Sequence, residues 1–256
     1  MDVPTFRSKF LHLYHSRYRH PLKDYLVGNL EWSGRLLSRF PAFSNALFDS
    51  AWGHYFNRLM GLADLPRFSK TPLHRLMRLQ SIPKSRPSLL IQTSEGEKEL
   101  SVILIQDAFS SFYESELILA FYRLLEKLGF QVHVAPLQAN GKPLHVKGFL
   151  CRFHNVAEAN ARFLSVLAST GMPLVGIEPS IILTYRDEYP AILKKDKVNF
   201  SALLPQEFME QDLQRLREHA PGSRLEFQLL GHCMEKTGAL LSQQQWISVF
   251  EVLDRN

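Results

Sequence analysis

The apolar positions of the first third of the chain recur at helical spacing. Phe6, Phe10, Leu13 and Tyr14 fall three and four residues apart, as do Leu22, Leu26 and Leu30, and then Leu36, Leu37 and Phe40, so each stretch offers one apolar stripe. Pro21 and Pro41 stand where one helix should stop and the next begin, because proline is tolerated in a first turn but breaks a helix interior. A third helix is predicted over residues 43–60, with Gly61 as its C-cap. Residues 61–88 carry Pro66, Pro72, Pro83 and Pro87 among lysines and arginines and read as a connector.

From Ser88 onward the pattern turns to short β-rich runs separated by helices. Residues 89–92 and 101–106 flank a Ser94-Glu95-Gly96-Glu97 turn and predict a hairpin, the second run being buried on both faces. Ser111 and Glu114 have capping-box spacing ahead of a helix through Leu117, Phe121, Leu124 and Leu128 that should end near Gly129. A strand over 131–135, a helix over 155–168 closed by Gly171 and a strand over 173–177 follow. Helical stretches near 185–193 and 206–219, a strand at 224–230 and a helix at 243–253 complete the reading. Alternating strands and helices are the pattern of a parallel sheet covered by helices. The expected fold is therefore α/β: an N-terminal helical segment, residues 1–80, followed over residues 81–256 by a mostly parallel sheet with helices on both faces.

Composition narrows the class. With 256 residues, 45% hydrophobic and 21% charged, the chain buries a core and is neither disordered nor of low complexity. No apolar run approaches the roughly 18 residues that span a bilayer, and the opening MDVPTFRSKF lacks the apolar region of a secretory signal, so the cytoplasm is the expected compartment. Two cysteines, Cys151 and Cys233, are too few for a disulfide framework. The formal charge of +5 is unevenly distributed: residues 1–87 hold 14 Lys and Arg against 5 Asp and Glu, and the remainder holds 16 against 20. Tyr14, Tyr18, Tyr25 and Trp32 among those basic residues have the composition of a nucleic-acid face. A solvated face, or one docked on another module, is the preferred reading, and no nucleic-acid partner is expected.

In open α/β sheets ligands bind outside the carboxyl ends of the strands. The residues there are Asp107, the Asn140-Gly141-Lys142 loop, Glu178-Pro179-Ser180 and Gly231-His232-Cys233. None forms a phosphate loop, a G-x-G-x-x-G fingerprint or a G-x-S-x-G elbow. Lys142, His145 and Lys147 put positive charge on one loop that would attract a carboxylate substrate or an acidic partner face, although loop lysines are usually only solvated. Arg186, Asp187 and Glu188 suit an interdomain ion-pair cluster at a helix start. Cys151, in the apolar context Phe149-Leu150-Cys151, reads as a buried small hydrophobe rather than a reactive thiol. His12, His15 and His20 lack metal spacing with nearby carboxylates; His12 and His15, three apart, carry only a weak zinc signal.

Several of these loops resemble a known family. Residues 139–148, Ala-Asn-Gly-Lys-Pro-Leu-His-Val-Lys-Gly, are similar to a degraded Cys-Cys-Gly-x-P stretch with its following Lys-Gly pair, as found in CCG-type iron-sulfur domains. Glu178-Pro179-Ser180-Ile181 with Arg186-Asp187-Glu188-Tyr189 resembles the same family's E-P-S-C and R-D-E-Y, and residues 109–114 and Gly231-His232-Cys233 fit as well. Residues 3–18 resemble the segment that follows the ferredoxin-like cysteine motifs of large FAD-linked iron-sulfur oxidoreductases of the D-2-hydroxyglutarate dehydrogenase type.

The resemblance implies an internal slice of a longer architecture, with the flavin domain and ferredoxin-like module before Met1 and a second Cys-Cys-Gly motif beyond the last residue. A truncated reading frame or a designed fragment is then expected. A [4Fe-4S] cluster is held by four thiolates. The family's thiolate positions are filled here by Ala139, Asn140 and Ile181, so Cys233 is left as an incomplete metal site, with His232 beside it tuning a cluster or capping a strand end. The resemblance thus implies no cofactor held by this chain alone, FAD and [4Fe-4S] in the complete architecture, and a role as scaffold for module docking and half of a cluster pocket, inactive by itself. The rival reading is a freestanding α/β module whose crevice near Asp107, Lys142 and Glu178 holds a small anion.

Overall fold

The computed structural model describes residues 3–62, 65–83, 90, 95–219 and 228–253. Among the described residues the first helices are α1 (Val3–Arg17), α2 (Leu22–Gly28), α3 (Leu30–Leu37), α4 (Pro41–Phe48), α5 (Ala51–Met60) and α6 (Leu73–Leu79). After the short α7 (Glu95–Lys98) the chain alternates: β1 (Ser101–Ile105), α8 (Ala108–Tyr113), α9 (Ser115–Lys127), β2 (Gln131–Val134), α10 (Lys142–Val146), α11 (Leu150–Ala168), β3 (Leu174–Gly176) and α12 (Pro179–Leu183). A π-helical turn (Thr184–Glu188) leads into α13 (Tyr189–Leu193), then β4 (Ala202–Leu203), α14 (Pro205–Glu210), α15 (Leu213–His219), α16 (Glu235–Gly238) and α17 (Ser242–Leu253). The chain forms two compact units, each assembled from separate stretches: Met1–Ile82, Asp107–Leu119 and Leu137–Asn160 in the first, Pro83–Gln106, Ala120–Pro136 and Ala161–Asn256 in the second.

In the second unit the described strands form one sheet in the order β2-β1-β3-β4, every pairing parallel. Helices flank this sheet, and the α/β expectation holds. The chain leaves β1 toward β2 and returns past it to β3, so the order reverses between β1 and β3. The central β1 is wholly buried, with Val102, Ile103 and Leu104 at 0% exposure, which is why its sequence is a continuous apolar run. A second cluster joins Leu128, Met209, Leu216, Val249 and Val252.

The predicted hairpin does not form. Both edges of β1 are taken by parallel partners, and of its intended mate only Leu90, which is helical, lies among the described residues. Likewise 228–230 is not a strand, while 224–227 lies outside the described residues; the fourth strand is Ala202–Leu203, a two-residue pairing too short for a periodic signal. The predicted helix over 43–60 is two helices, because Ser50 accepts a hydrogen bond from the Gly53 N–H at 3.1 Å and starts a new one. Ser111 and Glu114 do not cap α9: Asp107 caps α8, which contains Ser111 and ends before Glu114. The C-terminal stops at Gly61, Gly129 and Gly171 are as expected, each at positive φ.

The first unit departs most from expectation. Much of the apolar surface of α1–α5 does not face its core, although Leu37 and Phe48 pack against the Phe68–Ala108–Phe112 cluster. Phe6, Phe10, Leu13 and Tyr14 on α1 are exposed, as are Leu22, Leu26, Leu36 and Phe40, and Trp32 and Trp52 reach 72% and 79% exposure. The buried positions of α1–α5 are instead Ser8, Asp24, Gly28, Gly34, Ser44, Gly53 and Asn57. Small residues permit close approach. At Gly34 an added methyl would lie 2.7 Å from the Phe112 ring, which is itself buried with Phe68 and Ala108. We therefore expect Gly34→Ala to lower stability by about 2 kcal/mol, the usual cost of overpacking, measured as a lower thermal midpoint. An unchanged midpoint would show that Phe112 has room to move.

Candidate functional site

The Asn140-Gly141 turn, in the first unit, is clasped by a carboxylate from α3. Glu31 Oε1 accepts from the Asn140 N–H at 2.8 Å and Oε2 from the Gly141 N–H at 2.9 Å, while Asn140 Oδ1 accepts from the Lys142 N–H at 2.8 Å. Burial pushes the Glu31 carboxyl up from its usual value despite the two amide donors. Gly141 has φ +78°, and a Cβ there would meet the Phe153 ring at 2.8 Å. Glycine is required on both counts. Asn140, at a position where the resemblance puts a thiolate, is 1% exposed and spends its side chain on the turn.

The other expected residues of this unit are structural. Asp107 is buried and caps α8, accepting from the Ser110 N–H at 2.9 Å and from the Ser110 hydroxyl. Lys142 opens α10. His145 is buried, its ring 4.9 Å from Phe153, and its carbonyl accepts from Ser8 Oγ at 2.6 Å. Lys147 is an ion-pair partner, with Nζ 2.8 Å from Oδ1 of the buried Asp24. Cys151 corrects an expectation: it is exposed, because α11 buries Phe153, Ala157, Ala161 and Leu164, a different face.

In the second unit Glu178 caps α12, accepting from the Ser180 N–H at 3.2 Å and Oγ at 2.7 Å. Ile181, where the resemblance puts another thiolate, is 2% exposed in the core. Arg186, Asp187 and Glu188 lie in the π-helical turn rather than at a helix start. Thr184 Oγ1 bonds the Ser180 carbonyl at 2.7 Å, and Pro190 has no N–H for the Arg186 carbonyl, so the Tyr189 N–H reaches back to Thr184 and the turn widens. Arg186 then grips Glu207 with both terminal nitrogens and donates to the Ala202 carbonyl at 2.6 and 3.1 Å. Asp187 is exposed and Glu188 buried. Burial alone would raise the Glu207 carboxyl, but Arg186 and the Leu204 N–H outweigh it and hold it below its usual value.

His232 and Cys233 sit on the turn before α16. His232 Nδ1 accepts from the Met234 N–H at 3.3 Å, and the His232 N–H reaches Glu235 Oε2 at 3.3 Å. Glu235 is buried with Gln206 and Ser242, its Oε1 accepting from Gln206 Nε2 and Ser242 Oγ at 2.8 Å each. Gly238 of α16 packs against Leu183 of α12, so the Glu178 helix and the Cys233 turn are built on adjoining elements. Cys233 itself is an exposed free thiol.

Sequence reasoning missed Glu31, Asp24 and Glu207. The first two are among only five acids in the basic first 87 residues, and that scarcity was the available signal. Glu207 stands third in a helix that opens with Pro205, where a carboxylate reaches back to the cap N–H, here Leu204 at 2.8 Å.

This donor set does not fit an iron-sulfur cluster. The chain has two cysteines, and two of the positions that should supply others, Asn140 and Ile181, are committed to a turn and to the core. What remains is the class: an open parallel α/β domain with an additional helical portion. No family model matches the chain, and no solved structure does. It is similar to three proteins named D-2-hydroxyglutarate dehydrogenase. That of Pseudomonas putida is 40% identical over 254 residues, covering 98% of this chain and 25% of that protein. That of Pantoea ananatis is 40% identical over 253 residues, and that of Escherichia coli 36% over 251, covering 98% of this chain and 24% and 25% of their own lengths. The chain thus spans about a quarter of the length of the curated relatives it matches.

Two outcomes test this geometry. Arg186→Gln leaves the half-buried Glu207 without its partner and should cost about 3 kcal/mol at neutral pH. Because the Glu207 pKa is depressed in the fold, its stabilisation is present above the ordinary value of 4.5 and is lost as pH falls through the lower folded value. The variant should therefore lose less stability than the parent between neutral and acid pH in denaturant titrations. Equal acid sensitivity would remove Arg186 as the cause. Lys147→Ala, which strands the buried Asp24, should cost roughly 3 kcal/mol, read as a shift in the urea midpoint.

Proposed function

We propose that this chain is a segment of an FAD- and iron-sulfur-dependent D-2-hydroxyacid dehydrogenase of the D-2-hydroxyglutarate type, corresponding to its C-terminal CCG-type region, where it serves as a docking scaffold and not as a catalyst. The observation that carries this reading is the outward face of the N-terminal helices. Phe6, Phe10, Leu13, Trp32, Phe43 and Trp52 are exposed while serines, glycines and Asp24 are buried. A free-standing domain rarely exposes so many large apolar side chains within so short a stretch of chain. The occupant we assign to it is the rest of the dehydrogenase polypeptide, since three-quarters of each relative lies outside the match.

In the whole enzyme the flavin would take the hydride from C2 of the hydroxyacid and clusters would carry electrons onward. The residues present here hold turns, cap helices and close ion pairs. Their support for the rival anion-binding reading is weak, because Lys147 is neutralised by Asp24 and both Asp107 and Glu178 are occupied as caps.

Co-expression tests the assignment. The 256-residue chain alone should contain neither flavin nor iron and should not oxidise D-2-hydroxyglutarate. Made together with the part of the Pseudomonas putida enzyme that it does not match, it should co-purify with that part. Replacing Phe6, Phe10 and Leu13 by serine, all exposed and therefore cheap for folding, should abolish the association. Stoichiometric iron in the chain by itself, or no association with the complementary part, would overturn the proposal.

A further inference from the structure

A second cluster of side chains lies in the first unit, beside Lys147. His15, at the end of α1, and His20 and Asp24, at the start of α2, bring three donor atoms within 4.8 Å of one another. His15 Nε2 is 4.0 Å and His20 Nδ1 3.8 Å from the same oxygen, Asp24 Oδ2. Asp24 is 8% exposed and its other oxygen, Oδ1, is held by Lys147.

The hydrogen-bond inventory makes this arrangement incomplete. His15 Nδ1 lies 3.2 Å from the Tyr18 carbonyl oxygen, which can only accept, so Nδ1 carries the hydrogen and the neutral ring turns the lone pair of Nε2 toward Asp24. His20 Nδ1 is buried with no hydrogen-bond partner. The His15 Nε2 lone pair, His20 Nδ1 and an Asp24 carboxylate oxygen therefore converge on a common gap. Filling it with two protons would create two imidazolium rings stacked at a centroid distance of 3.7 Å, a like-charge contact. A single cation at the ring edges beside Asp24 would meet all three at once, provided that the two rings swing out of their stacked arrangement so that both lone pairs point at it.

We propose that His15 Nε2, His20 Nδ1 and Asp24 Oδ2 form a binding site for one divalent transition-metal ion of the zinc class. Two imidazoles and a carboxylate are a common borderline donor set for such ions. Bonds of 2.0–2.2 Å to a tetrahedral ion place donors about 3.3 Å apart, so the ion draws these atoms inward by a fraction of an ångström to somewhat more than one. The supporting shell is present before the ion arrives. The Tyr18 carbonyl fixes the His15 tautomer, as such carbonyls do for metal-bound histidines. His20 is clamped between the His15 ring and the Phe149 ring, whose centroid is 4.0 Å away.

The open side is a cleft of about 200 Å³ lined by His12, His15, Ser16, His20, Phe149 and Cys151, which leaves room for water or another donor in a fourth position. Lys147 limits the affinity by sharing Asp24, so the site is weaker than a structural zinc finger.

The test uses the full chain, stripped with a chelator and titrated with Co²⁺, then Zn²⁺. Expected is saturable uptake of one Co²⁺ per chain with visible d–d absorption, and its displacement by Zn²⁺. His15→Gln and His20→Gln should each weaken binding on the order of 10- to 100-fold, with circular dichroism unchanged, while His54→Gln leaves it unaltered. Since a variant can fail for reasons of folding, the imidazole nuclear resonances of the unaltered chain supply a second reading: Zn²⁺ should shift those of His15 and His20. No saturable uptake at micromolar Co²⁺, uptake that survives both variants, or resonances that respond to pH but not to Zn²⁺ would each overturn the proposal.

Discussion

The first unit is held by polar groups that reach across long stretches of sequence, and every other feature of it follows from that. Ser8 bonds the His145 carbonyl, Glu31 clasps the Asn140-Gly141 turn, Arg35 donates to the Leu137 carbonyl and Lys147 closes on Asp24. Hydrogen bonds of this kind need close approach, and the helices supply it by presenting serine and glycine inward. The aromatic and aliphatic residues are thereby displaced to the opposite faces. A helix normally gains its stability by burying its apolar stripe. Apart from Leu37 and Phe48, which pack on the Phe68–Ala108–Phe112 cluster, these helices forgo much of that gain within the unit, which gives physical content to the proposal that something else covers them.

The clasp at Asn140 also decides what the loop can do. A thiolate pair at this turn would carry negative charge that a metal cluster neutralises. Here the negative charge comes from Glu31, and backbone amides neutralise it. The turn is thus held by hydrogen bonds between its own amides and Glu31. Ile181 in the second unit, where the resemblance puts a thiolate, packs in the core. By contrast the Cys233 turn is supported from beneath by the buried Glu235–Gln206–Ser242 network and leaves its thiol in solvent.

Much of the second unit was legible because its signals are local. The apolar run of β1, the alternation around β2 and the glycine stops at 129 and 171 each reflect one segment's own burial and backbone needs. The parallel pairing on both sides of β1 was not, since a run buried on both faces says nothing about which strand lies beside it, and β4 is too short to have a period. In the first unit periodicity identified the helices and misassigned their faces. Amphipathicity shows that a stripe will be covered, but it does not say by what. Cys151 failed for a related reason: an apolar neighbourhood in sequence was taken for one in space, whereas successive helical residues point in different directions.

The candidate residues divide along the same line. Charged side chains picked for their place after a strand turned out to be caps and ion-pair members, because a loop beside a sheet must satisfy its backbone before it can offer charge to a ligand. Among the described residues His20 Nδ1 is one of three buried side-chain atoms without a hydrogen-bond partner, with His133 Nε2 and Gln206 Oε1, and it lies where Pro21 turns α1 into α2 and brings His15 and His20 together over Asp24. Those two histidines are five residues apart, a spacing that is not a helical repeat, so no periodic template joins them. The turn joins them, and the acid that completes the group is one of the few in a strongly basic segment. Scarcity of charge of one sign, combined with burial, is the better guide here: a buried carboxylate in a basic region is retained against its desolvation cost only where specific partners converge on it.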